Sequence, residues 1–111
     1  MAWNTVITSR LEGNITVLDV AGRLAIGQPV SDLRAAVQAA LQSGAGEIVI
    51  NLAETDYLDS SGVGELVADL KLAEAGGCSF KLANMPRRVS DLLKLAGVRV
   101  LFQVIETPPA P

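Results

Sequence analysis

The chain has 111 residues, the length of one domain, and carries a formal net charge of −3 with its basic residues spread thinly. That balance excludes the basic stripe with which proteins usually displace counterions from nucleic acid. Because the chain has no histidine and one cysteine, Cys78, it also cannot form a disulfide, a Cys/His zinc site or an imidazole-based catalytic triad.

The first predicted elements form a β-hairpin. Residues 5–9 and 15–20 are rich in β-branched side chains, and the sequence Leu-Glu-Gly-Asn at residues 11–14 is typical of a turn. Gly22 is predicted to end the second strand, and residues 23–29 to form a loop.

A helix is predicted over residues 32–43, with Ser31 as its N-cap and Gly44 just after its end. Residues 47–52 are almost continuously apolar. A run of this length is typical of a central parallel strand that is covered on both faces. We therefore expect it in the middle of the sheet.

A second helix follows residue 59. Its predicted apolar face is formed by Val63, Leu66, Val67, Leu70 and Ala73, and Gly76-Gly77 ends it. Glu65, Asp69, Lys71 and Glu74 are expected largely on its other faces. Residues 78–83 are predicted to form a strand, with Cys78 as a buried, unreactive thiol.

The last predicted helix begins near Asn84, which is a candidate cap, and Pro86, and it ends at Gly97. Its apolar positions are Val89, Leu92, Leu93 and Ala96. Residues 98–105 are predicted to form a strand, and residues 107–111 a proline-rich disordered tail.

The order ββαβαβαβ predicts an α/β fold: a small mixed β-sheet with an N-terminal antiparallel hairpin, then parallel strands joined by βαβ crossovers and packed with helices. Residues 1–106 are expected to form one domain. The sequence contains neither a signal-peptide pattern nor about 20 consecutive apolar residues, so we expect a cytoplasmic protein without direct membrane insertion.

The stretch at residues 57–64, Tyr-Leu-Asp-Ser-Ser-Gly-Val-Gly, lies between a strand pattern and a helix pattern. A dinucleotide loop does not fit, because Val67 stands at the third glycine position. A hydrolase elbow does not fit either, since Gly-x-Ser-x-Gly spacing and histidine are both absent. Two interpretations remain: a serine that caps the helix, and a serine that a kinase modifies at the helix start, where phosphate is tolerated.

The same stretch, together with the apolar run of residues 48–52, resembles the signature of the STAS domains of bacterial anti-sigma factor antagonists. Residues 20–24, Val-Ala-Gly-Arg-Leu, are similar to the family's early Gly-x-Leu turn. Residues 76–77 and 92–98 are similar to its second-helix stop and to its late helix and glycine. The resemblance spans nearly the whole chain and implies the family's fold.

By that resemblance Ser60 is the phosphoacceptor, with Ser61 as the second candidate and the expected helix cap. The implied partners are an anti-sigma factor that is also a serine kinase, which binds the unmodified protein, and a serine phosphatase that restores it. Asp59, Ser60, Ser61, Gly62 and Gly64 are the expected partner-binding residues, and the two glycines would let the kinase approach closely. Because the kinase supplies ATP and Mg²⁺, we expect a regulator without a cofactor and not an enzyme.

STAS-like domains also occur in signalling scaffolds and beside membrane transport machinery. The resemblance is therefore also compatible with an interaction module that is not phosphorylated. Many family members carry an aspartate soon after the Gly-x-Leu turn, whereas here Leu24 is followed by Ala25-Ile26-Gly27. This departure removes a polar group from a loop that the resemblance puts near the phosphoacceptor.

Overall fold

Strands and helices alternate along residues 5–106, the part of the chain that the computed structural model describes. The strands are β1 (Val6–Glu12), β2 (Ile15–Leu24), β3 (Glu47–Asn51), β4 (Thr55–Leu58), β5 (Ser79–Ala83) and β6 (Gln103–Ile105), and the helices are α1 (Gln28–Gln42), α2 (Ser60–Ala75) and α3 (Arg87–Leu95). None of these helices has the length and apolar character needed to cross a bilayer. The tail predicted at residues 107–111 lies outside the described residues.

The strands form one mixed sheet in the order β1-β2-β3-β5-β6, with β4 also paired to β2. β1 and β2 are antiparallel, and every other pair is parallel. The predicted hairpin, the parallel crossovers and the central position of β3 are therefore confirmed. The predicted burial of β3 on both faces is also confirmed, although the helices cover only one of them.

The predicted end of β2 at Gly22 is wrong, because the strand continues to Leu24. Gly22 has a φ of 106°, and the pairing shifts between it and Arg23, so the glycine bends the strand without ending it. Beyond the bend β2 pairs with β4, a strand that the sequence did not predict. The contact is held by the Gly22 N–H, which donates to the Glu54 carbonyl at 2.9 Å.

Helix α1 begins four residues earlier than predicted. Gly27 is its N-cap and Pro29 lies in its first turn, so Ser31 is inside the helix and the prediction of a Ser31 cap is wrong. Proline fits this position because the first turn has N–H groups without intrahelical partners. The predicted glycine after the helix is confirmed, since Gly44 has a φ of 82°.

The last predicted helix and strand also need correction. Pro86 is the N-cap of α3, and no side chain caps the helix. Asn84 instead has a φ of 55° and donates its side-chain N–H to Asn51 Oδ1 at 3.0 Å. The predicted strand over residues 98–105 is present only as β6, because Arg99–Leu101 forms a 3₁₀ turn.

Two apolar clusters lie on opposite faces of the sheet. The larger contains side chains from all three helices together with Leu18, Ile50 and Leu82 from neighbouring strands. The smaller is centred on Val17, Val49 and Ala83, which alternate with the first set along the strands. The helices therefore bury one face of the sheet, as the alternating pattern requires.

A line of polar side chains crosses the other face. The Arg10 guanidinium contacts the Asp19 carboxylate at 2.6 Å, and the Asn51 amide donates to the same carboxylate at 2.7 Å. Asn84 extends the line by donating to Asn51. These bonds connect β1, β2, β3 and the residue after β5.

The acidic residues of α2 include a buried pair that the sequence placed on other faces. Glu65 is 6% exposed and Asp69 is 0% exposed, so both are buried although they lie outside the predicted apolar face. Arg34 on α1 reaches across to them, with its Nε 2.7 Å from Glu65 and 3.2 Å from Asp69. Burial and the neighbouring Glu65 carboxyl raise the pKa of Asp69 to about 9, although Arg34 opposes the shift.

We expect Asp69→Asn to remove a pH dependence of stability. Asp69 holds its proton in the folded state well above its ordinary pKa of 3.8. Folding therefore takes up a proton between about pH 4 and pH 9, and the free energy of unfolding falls as pH rises, with a slope of up to about 1.4 kcal/mol per pH unit. Asparagine keeps the shape without the charge.

Urea unfolding at pH 5, 7 and 8.5 measures this slope. The wild type should lose stability across the series, and Asp69→Asn should show a flatter profile and a gain at pH 8.5. Asp91→Asn, which changes an exposed carboxyl, is the matched control. Parallel profiles for all three proteins would show that Asp69 is ionised in the folded state.

Candidate functional site

The motif at residues 59–64 lies where β4 gives way to α2. Because β4 pairs in parallel with the last residues of β2, with Leu58 opposite Leu24, the start of α2 lies against the carboxyl end of β2. Parallel strands place their carboxyl ends, and hence their functional loops, at one edge of the sheet. The motif and the loop after β2 meet at that edge.

Asp59, not a serine, is the N-cap of α2. Its Oδ1 accepts a hydrogen bond from the Gly62 N–H at 2.9 Å, and its backbone is extended, with φ −107° and ψ −176°. The prediction that Ser61 caps the helix is therefore wrong. Aspartate at an N-cap also places a negative charge near the positive end of the helix dipole, which stabilises both.

The second oxygen of Asp59 holds the loop between β2 and α1. Its Oδ2 accepts a hydrogen bond from the Ile26 N–H at 3.0 Å. Partial burial raises the pKa of Asp59, but the backbone N–H groups of Ile26 and Gly62 outweigh that effect and hold the pKa below its ordinary value. One carboxylate thus joins two segments that are 33 residues apart.

The two serines occupy the first two helical positions and differ in exposure. Ser60 is exposed, whereas Ser61 is half-buried. A group bound to Ser60 would lie beside the first N–H groups of the helix, which lack intrahelical partners. The position therefore suits an added anion. Within residues 5–106, no three cysteine or acidic side chains are arranged to hold a metal ion.

The two glycines of the motif have different surroundings. Gly62 is buried, and a Cβ at that position would lie 2.2 Å from the Leu24 carbonyl oxygen and 2.7 Å from Leu58 Cδ1. Gly64 is exposed, and a Cβ there would meet nothing within 4 Å. Gly62 therefore lets α2 approach β2, whereas Gly64 leaves its part of the surface open.

Two features of this edge were not apparent from the sequence. Ile26 is 76% exposed although its backbone is held by Asp59. The Arg23 guanidinium lies 4.3 Å from the centre of the Tyr57 ring, which is a cation–π contact between β2 and β4. Recognising either feature required the pairing of β2 with β4, for which the sequence gives only a short and mixed pattern.

The family model described as "Mlab, STAS domain" matches residues 7–105. The chain is similar to the anti-sigma-B factor antagonist of Staphylococcus epidermidis, at 29% identity over 65 residues, or 59% of this chain and 60% of that protein. The match thus spans less than two thirds of that relative. It is also similar to the anti-sigma-B factor antagonist of Staphylococcus aureus, at 25% identity over 93% of this chain and 94% of that protein.

The fold is similar to solved structures of the anti-sigma factor antagonist SpoIIAA. The unphosphorylated form matches with a TM-score of 0.77 at 22% identity, covering 94% of this chain and 90% of that one. The phosphorylated form, from Bacillus, matches with a TM-score of 0.73 at 21% identity, covering 94% and 93%. These similarities confirm the α/β fold expected from the sequence.

The cap assignment predicts a difference between two single substitutions. Asp59→Ala should lower the free energy of unfolding by about 1–2 kcal/mol, because it leaves the Gly62 and Ile26 N–H groups without their acceptor. Ser61→Ala should change stability by less than about 0.5 kcal/mol. Urea unfolding at pH 7 measures both values.

The pH dependence provides a check on the same assignment. Because folding lowers the pKa of Asp59, its contribution is present above its ordinary pKa of 3.8 and is lost as pH falls through the folded-state value. The difference in the free energy of unfolding between wild type and Asp59→Ala should therefore become smaller as the pH falls. A larger cost for Ser61→Ala than for Asp59→Ala would contradict the cap assignment.

Substituting alanine for Gly62 and for Gly64 should have opposite effects on stability. Gly62→Ala should destabilise the protein by roughly 1–3 kcal/mol, since its Cβ overlaps the Leu24 carbonyl. Gly64→Ala should stabilise it by up to about 1 kcal/mol, because alanine is the better helix former and the space is open. Thermal unfolding of the two variants measures the contrast. Equal effects would mean that α2 does not approach β2 as closely as described.

Proposed function

The chain belongs to the STAS domain family, and on that basis we propose that it is an anti-sigma factor antagonist switched by phosphorylation of Ser60. In its unmodified form it binds an anti-sigma factor that is also a serine kinase, and the sigma factor is released. Phosphorylation ends that binding, and a serine phosphatase restores it. The chain acts in the cytoplasm as a regulator without catalytic activity of its own.

The choice of Ser60 rests on one observation: Asp59 is the N-cap of α2. Ser60 is exposed at the first helical position, and because Asp59 is the cap, the Ser60 hydroxyl is not needed to hold the helix start. Ser61 is half-buried beside it, which makes it the poorer substrate for an enzyme that must reach the hydroxyl. Ser60 is accordingly the site of modification.

The fold can accept phosphate at this position. A phosphoserine adds a charge of about −1.5 to −2, which the first N–H groups and the dipole of α2 stabilise. The added charge stands directly after the Asp59 carboxylate, whose lowered pKa keeps it ionised at neutral pH. Together the phosphate and the Asp59 carboxylate make the surface around the start of α2 more negative, whereas the apolar core is unchanged.

The docking surface for the partner consists of the start of α2 and the loop after β2. The Asp59 carboxylate fixes the Ile26 backbone, so an exposed apolar side chain is presented next to the switch. An ordered apolar residue loses little conformational entropy when a partner covers it. Ile26 therefore contributes affinity, and Ser60 controls it.

We expect the protein isolated from its own cells to carry one phosphate, on Ser60. Intact mass and peptide mapping should find about 80 Da on the peptide that contains Ser60, and no added mass in Ser60→Ala. Ser61→Ala is the matched control and should still be modified. Phosphate confined to Ser61 would refute the assignment to Ser60. No phosphate under any growth condition would also refute it, and would favour an interaction module that is not phosphorylated.

Binding supplies the second arm of this test. The kinase that modifies Ser60 should bind Ser60→Asp at least about tenfold more weakly than wild type, a loss of 1.4 kcal/mol, because the added carboxylate lies beside Asp59. Ser9→Asp, which adds the same charge at an exposed position of β1 outside the expected partner-binding residues, is the matched control and should bind like wild type. Equal binding by wild type and Ser60→Asp would show that charge does not release the partner.

A further inference from the structure

The exposed large apolar side chains of the described residues are unevenly distributed along the chain. Those with large side chains are Val6, Leu11, Ile26, Tyr57, Leu92, Leu95, Val100 and Leu101. Half of them lie within the ten residues from 92 to 101, in the last turns of α3 and the 3₁₀ turn after it. Leu95 is 88% exposed and Val100 is 85% exposed. Clustered exposed apolar groups are unusual unless they bind something.

The core does not account for these residues. α3 packs against the sheet through Val89 and Leu93, which are 1% and 0% exposed. Leu92 and Leu95 lie on other sides of the helix, where polar residues would be expected on a surface that faces water. Their exposure is therefore additional to what folding requires.

The same segment has a charge opposite to that of the chain. Residues 87–99 contain four of the nine basic residues, Arg87, Arg88, Lys94 and Arg99, and one of the twelve acidic residues, Asp91. Their formal charge is +3, whereas the whole chain carries −3. A local excess of positive charge thus lies in the same segment as the exposed leucines.

A small groove opens at one end of this segment. It has a volume of about 100 Å³, and its lining is largely apolar but includes two charged residues: Asp56, Tyr57, Leu58, Arg88, Val89 and Leu92. Arg88 stands at its rim, where its Nη1 donates to the Asp56 carbonyl at 2.9 Å, so the guanidinium is fixed in place. An apolar recess with a fixed cation beside it suits an inserted side chain that is followed by a carboxylate.

We propose that this region, the α3 surface, binds a segment of a protein partner that carries both acidic and apolar side chains. The α3 surface consists of Leu92, Leu95, Val100 and Leu101 with Arg87, Arg88 and Lys94. Ser60 is not part of it, and the proposal does not depend on phosphorylation. The charge selects an acidic partner, and the leucines and the groove supply the apolar contact.

An anionic bilayer is the competing occupant. The groove is a small recess of about 100 Å³, which fits one inserted side chain better than the flat surface of a bilayer. A protein segment with acidic and apolar side chains can use both this recess and the positive charge of residues 87–99.

Site-specific photo-crosslinking in the cells that produce the protein tests the proposal. A photoreactive amino acid in place of Leu95 should crosslink to a protein, and the peptide attached should contain aspartate or glutamate together with apolar residues. The same group in place of Leu11, an exposed leucine on β1, is the matched control and should not give that product. No crosslink at position 95, or a peptide without acidic residues, overturns the proposal.

Charge reversal tests whether binding requires the positive charge of the α3 surface or only its apolar side chains. Lys94→Glu should reduce the yield of the crosslink at position 95 by at least about fivefold, while Lys71→Glu, an equal charge change on α2, should leave it within about twofold. Unchanged yield in Lys94→Glu would refute the acidic partner. Sedimentation with phosphatidylglycerol vesicles tests the bilayer, and vesicle binding that Lys94→Glu abolishes would overturn the proposal in favour of a membrane.

Discussion

The position of the candidate site depends on the pairing of β4 with the last residues of β2. That pairing brings Leu58 opposite Leu24 and delivers the next residue, Asp59, to the loop that follows β2. The absence of a side chain at Gly62 then lets the first turn of α2 lie against the Leu24 carbonyl. Ser60 lies exposed at the first helical position, between the capping Asp59 and the half-buried Ser61. A local motif has thus acquired its geometry from a long-range contact.

Two regions of the protein surface carry charge of opposite sign. At the start of α2 the Asp59 carboxylate meets backbone N–H groups, and any added phosphate would increase negative charge there. Around α3 the charge is positive and accompanied by exposed leucines. The two regions are therefore suited to different partners, or to different parts of one partner. Only the first changes its charge when Ser60 is modified.

Elements whose signals are local were predictable from the sequence, and those imposed by distant contacts were not. The apolar run of β3 and the glycines after the helices act within a few residues, and the structure confirms them. β4 is a short mixed segment that becomes a strand because β2 is beside it. The burial of Glu65 and Asp69 outside the apolar face of α2 could not be predicted, because their partner, Arg34, lies on another helix. The motif could likewise be located, but its cap could not be assigned, since three adjacent residues can all cap a helix.

The polar line from Arg10 to Asn84 has a consequence for how the sheet assembles. A strand that pairs one residue out of step turns every side chain to the opposite face. For β3 such a slip would place the Asn51 amide among the aliphatic side chains under the helices, without Asp19 or Asn84 to bond with. The hairpin can form early because its contacts are local, but the line closes only when β3 and β5 have joined correctly. These few side chains therefore favour the native strand register, because a misaligned sheet lacks their hydrogen bonds and is less stable than the native one.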